Sequence, residues 1–146
     1  MNKFIIIFMF LHAWSAEMSK YEVKGLIPWL YYKDLPKAMK FYENVMGFNM
    51  VVDQGWSKIY KIRDGAYIGL VDEKHGYHRA HEDKPVIICL NVFNADAWYD
   101  KLIEKGVKIE KQPQESERLK IKVFMIKDPE GYVIEIQESL KGALSI

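Results

Sequence analysis

The sequence predicts a single α+β domain made of two βαβββ modules whose strands form a curved, cleft-enclosing sheet. Three observations support this. The same order of strand-like and helix-like segments occurs twice, over about residues 22–72 and 85–139 of a domain spanning about 22–139. Each copy opens its helix on a short polar cap, Asp34 or Asn94, and closes it on a glycine, Gly47 or Gly106, at similar offsets. The strand segments alternate so that each half-sheet has one face for the helices and one left over. A chain of 146 residues, 49% hydrophobic, has enough apolar surface for one core and too little length for two ordinary domains.

The first strand is predicted over 23–32, where Pro28 restricts it to a sheet edge or to a slot needing no amide donor. Asp34 then caps a helix with Pro36 in its first turn and an apolar stripe of Leu35, Ala38, Phe41, Tyr42, Val45 and Met46. Strands follow over 48–53, 58–63 and 66–71, separated by the turn signals Gln54-Gly55 and Asp64-Gly65. A polar stretch over 72–84 has no periodicity and reads as an exposed connector. The second copy runs through a strand over 86–93, a helix with Ala95, Trp98, Tyr99, Leu102 and Ile103 on one face, and strands over 107–111, 119–126 and 132–137.

Residues 1–16 read as a secretory leader: Lys3, an apolar run from Phe4 to Leu11, then small residues at Ala13 and Ser15. That implies a periplasmic or secreted protein with no membrane attachment after removal. The alternative is a cytoplasmic protein translated from Met18. A net charge of +1 gives no electrostatic footprint for nucleic acid. The single cysteine, Cys89, lies in an apolar run and is expected to be buried and inert.

The pieces Asp34-Leu35, Phe41-Tyr42 and Gly47-Phe48, with Asp128-Pro129-Glu130-Gly131 and Ile134-Glu135 downstream, closely resemble the two signatures of the glyoxalase/bleomycin-resistance (vicinal oxygen chelate) superfamily. The resemblance implies paired modules around a ligand cleft, and homodimers by family habit. Metal-using members carry a histidine seven residues before each helix cap and a glutamate on each module's last strand. The matching positions here are Ile27, Ile87, Gly69 and Glu135, so only Glu135 keeps a donor and no metal or other cofactor is expected. The pattern resembles the metal-free, ligand-sequestering branch, the alternative being a metal-dependent glyoxalase or dioxygenase that draws its ligands from other positions.

If Ile27 faces the cleft, alternation turns Trp29 and Tyr31 the same way, along with Tyr67, Gly69 and Val71, Ile87, Cys89 and Asn91, and Val133, Glu135 and Gln137. Such a lining suits a small aromatic or cationic organic molecule, with Gly69 leaving floor space, although the large rings would serve equally as core filling. Trp56 is a lid or a surface residue of its turn. Glu135 is the candidate acid or base of an alternative lyase, isomerase or hydrolase reading, or a glutamate satisfied by its neighbours. His75, His78 and His81 sit with Arg79 in the connector, where Arg79 or a histidine could meet an anionic ligand group at the cleft mouth.

Overall fold

A computed structural model describes residues 21–141, so the expected leader and the alternative start at Met18 lie outside the described residues. The first module comprises β1 (Trp29–Tyr32), α1 (Leu35–Lys40) continuing into a π-helical segment (Phe41–Met46), β2 (Asn49–Asp53), β3 (Ser57–Arg63) and β4 (Ala66–Asp72). The second comprises β5 (Ile87–Val92), α2 (Ala95–Glu104), β6 (Ile109–Ser116), β7 (Ile121–Lys127) and β8 (Val133–Ser139). Each module builds a four-stranded mixed sheet, ordered β1-β4-β3-β2 and β5-β8-β7-β6. Its first strand joins its last in parallel, and the remaining pairs are antiparallel.

Both helices start where the side chains dictate. The Asp34 carboxylate accepts the Lys37 amide at 3.0 Å, and the Asn94 side chain accepts the Ala97 amide at 2.9 Å. Gly47 and Gly106 close them at φ 81° and 72°, in the left-handed region that disfavours other residues. The first helix widens midway into π geometry, and Leu35, Ala38, Phe41, Tyr42 and Met46 of its stripe are buried.

Two strands differ from expectation. β1 is shorter, because the chain before Trp29 lies beside β4 only through isolated bonds, Leu26 amide to Gly65 carbonyl and Tyr67 amide to Leu26 carbonyl. Pro28 is tolerated there because β1 is an edge strand and its carbonyl still accepts the Gly69 amide at 2.9 Å. β6 is longer, running past Pro113 with two register shifts, which an edge strand allows.

Alternation then sorts the sheets. Leu30, Tyr32, Ile68 and Leu70 of the first sheet and Leu90, Phe124, Ile134 and Ile136 of the second are buried in one core cluster with residues of both helices. The modules are fastened by a buried carboxylate in the β7–β8 turn. Asp128 accepts the Tyr32 hydroxyl at 2.7 Å and the Tyr42 hydroxyl at 3.1 Å from the first module, together with the amides of Glu130 and Tyr132 from its own turn. Burial pushes its carboxyl above the usual range, opposed by those four donors. Next to it, the Glu130 carboxylate accepts the Lys33 and Asp34 amides, and the Tyr132 hydroxyl accepts the Tyr31 amide at 3.0 Å. The turn of one module thus completes the strand end and helix start of the other.

Candidate ligand-binding site

The two sheets repeat in register as well as in order. Trp29 lies opposite Gly69 and Tyr31 opposite Val71; in the second sheet Cys89 lies opposite Glu135 and Asn91 opposite Gln137. Gly69 and Glu135 therefore occupy equivalent places, as do Trp29 and Cys89. These residues alternate with the core residues and project from the sheet faces turned away from it.

On the first face Trp29 is 42% exposed, and its indole lies across Gly69. A Cβ at Gly69 would stand 2.3 Å from the ring, so the space this glycine leaves is filled by the protein's own tryptophan instead of serving as open floor. Beside it, Ile27, Val51, Val52, Ile59, Lys61 and Tyr67 line an open hollow of about 390 Å³. Val51 and Val52 both reach it because a bulge between Met50 and Val52 inserts one residue into β2. Four of these six residues, Val51, Val52, Ile59 and Lys61, were not anticipated. Parity counting from the flanking strands stops at β4, and a bulge leaves no local mark in sequence.

The 72–84 connector folds against the far end of the same face. Gly76 packs so closely on Tyr31 and Val71 that a Cβ there would meet both at 2.6 Å, and the His78 ring stands edge-on to Tyr31 at 5.4 Å. Arg79 does not reach toward a ligand. Its guanidinium donates to the carbonyls of Glu73 at 2.5 Å and Gly76 at 3.2 Å, tying the strap to itself because those carbonyls have no ladder partner in this turn. Trp56 is 45% exposed at the β2–β3 turn, where its carbonyl accepts the Asp72 amide, and it is not among the residues lining the hollow.

The second face is more polar. It carries exposed Asn91, half-buried Gln137 and half-buried Glu135. Cys89 is exposed here, contrary to the buried placement expected from its apolar run, because alternation gives the core position to Leu90. The thiol is nonetheless unreactive in character: partial burial and the neighbouring Glu135 carboxylate push it up to about 11. Alkylation by iodoacetamide at pH 8 should run at least about tenfold slower than for an unhindered thiol of pKa ~8.5, after allowing for the greater nucleophilicity of the more basic thiolate. The rate should climb until pH approaches 11, and Glu135→Gln should accelerate it at pH 8. Mass spectrometry reads this cleanly because the chain has one cysteine, and full-rate alkylation of the native protein would contradict the pairing.

The residues at the four positions used by metal-binding proteins of this architecture do not fit a divalent ion. Ile27 and Ile87 present hydrocarbon and Gly69 is covered by Trp29, which leaves Glu135 as the single donor among the four positions. Among the described residues, no group of three or more His, Cys, Asp or Glu side chains is placed to hold a metal.

Comparison with known proteins agrees with the architecture. A family model described as the glyoxalase/bleomycin resistance protein/dioxygenase superfamily matches residues 25–136. An uncharacterised Bacillus subtilis protein, YraH, is 26% identical over 117 residues, covering 73% of this chain and 91% of that protein. Among solved structures, TioX from Micromonospora sp. ML1 superposes with a TM-score of 0.68 at 16% identity, covering 80% of this chain and 98% of that one. A lactoylglutathione lyase from Agrobacterium tumefaciens gives 0.64 at 21% identity, covering 77% and 91%. At such identities the two structures establish the fold alone.

Proposed function

Because this chain belongs to the glyoxalase/bleomycin resistance protein/dioxygenase superfamily, we propose that it binds a small organic molecule, without a metal ion, on the apolar face of its first sheet. The observation that supports this reading is the Trp29 indole laid over Gly69: at the place where the equivalent strand of the second module carries a carboxylate, the first module carries a ring platform. A half-exposed indole beside an apolar hollow offers stacking area and desolvation to a flat or greasy ligand. An enzymatic reading built on Glu135 is less well supported, since the histidine-bearing strap that would supply its partner contacts the first sheet.

The uncharged fluorescent probe N-phenyl-1-naphthylamine tests this. It should bind saturably to the native protein, and Trp29→Ala should weaken binding by about tenfold, the worth of one lost aromatic contact. Absence of saturable binding, or binding indifferent to both Trp29→Ala and Tyr67→Ala, would defeat the proposal.

A further inference from the structure

The hollow beside Trp29 carries one charge, and its sign is informative. Five of its six lining residues are apolar or aromatic; the sixth is Lys61, and no carboxylate shares the wall. Its stem can run along the apolar floor while the ammonium sits at the rim. The ammonium lies 2.5 Å from Asp64, three residues on, across the β3–β4 turn. That pair is weakly held by its surroundings: the Asp64 side chain is 93% exposed and that of Lys61 43% exposed. An ion pair this open to water contributes little, so it yields to a competitor that brings its own binding energy. Asp64 also feels the charge of Arg63, which remains beside it when Lys61 turns away. A ligand whose body fills the apolar hollow delivers an anionic group to Lys61 at high local concentration, which a free anion in solution does not achieve.

We infer that the first-sheet hollow selects organic acids, molecules with an apolar body and one anionic group held by Lys61. This rests on the reading of that face as the ligand site and adds the chemical class. It departs from the cationic ligand that the aromatic residues alone suggested.

Two probes of related shape and different charge test it: anionic 1-anilinonaphthalene-8-sulfonate and uncharged N-phenyl-1-naphthylamine. The sulfonate should bind the native protein more tightly at low salt and lose that advantage as salt rises. Lys61→Met should weaken the sulfonate about tenfold and the uncharged probe by a much smaller factor. Lys61→Arg should keep sulfonate binding, and Asp64→Asn, which removes the competing carboxylate, should tighten it severalfold. If the uncharged probe binds but the sulfonate shows no preference, or Lys61→Met affects both probes equally, the anion selectivity is wrong and the binding face stands. If neither probe binds, the binding face itself is wrong and the selectivity falls with it.

Discussion

Asp128→Ala should lower the free energy of unfolding by about 3–5 kcal/mol, read as a fall in the urea midpoint at constant slope. The carboxylate takes four hydrogen bonds, two from buried phenols of the other module and two from amides of its own turn. Truncation leaves the Tyr42 hydroxyl and the two turn amides without that acceptor in an enclosed site, while the Tyr32 hydroxyl keeps the Tyr42 oxygen at 3.2 Å, and each orphan costs on the order of 1–3 kcal/mol. Since a domain of this size has on the order of 5–15 kcal/mol to lose, the variant should be marginal or unfolded at 37 °C. Tyr32→Phe and Tyr42→Phe remove one donor each while sparing the acceptor and should each cost about 1 kcal/mol. A loss below about 1 kcal/mol for Asp128→Ala would mean that apolar packing alone joins the modules.

Gly69→Ala should cost about 1–3 kcal/mol and reduce probe binding by at least about tenfold, although the added methyl is small and the backbone there needs no left-handed conformation. The new Cβ would coincide with the indole, 2.3–2.8 Å from three of its ring atoms, so Trp29 must leave its resting place. In a Trp29→Ala background the same methyl meets no ring, and its cost should shrink to a few tenths of a kcal/mol. The double-mutant cycle separates a clash with Trp29 from general strain in β4. Equal costs in the two backgrounds would show that the glycine matters for some other reason.

Most of the architecture could be read from residue order, because the signals are local. Caps at Asp34 and Asn94, left-handed stops at Gly47 and Gly106, and alternation through Trp29-Leu30-Tyr31-Tyr32 depend on neighbours a few residues away. The same parity correctly separated Leu30 and Tyr32, which are buried, from Trp29 and Tyr31 on the opposite face. The details of the site were less accessible. That Gly69 would be roofed by Trp29 depends on a parallel register between strands forty residues apart, and that Arg79 would bind its own loop depends on the loop's path. For Cys89 the two sequence signals diverge: its hydrophobic run reports composition and suggests burial, whereas strand parity puts it on the face away from the core, and exposure follows the parity. The Tyr32–Tyr42–Asp128 cluster leaves no local signal in the sequence, because Asp128 stands 96 and 86 residues from the two tyrosines and no pattern within a strand or helix links them.

That separation has a consequence for how the protein comes into being. Tyrosines 32 and 42 leave the ribosome long before Asp128; at bacterial to eukaryotic synthesis speeds the delay is on the order of 5–20 s. Throughout that interval the nascent first half has two phenols whose shared carboxylate has not yet been translated, and a helix start whose carboxylate clasp at Glu130 is still to come. Maturation is therefore tied to chain completion, and a gene cut between the repeats would yield fragments that each lack what the other supplies.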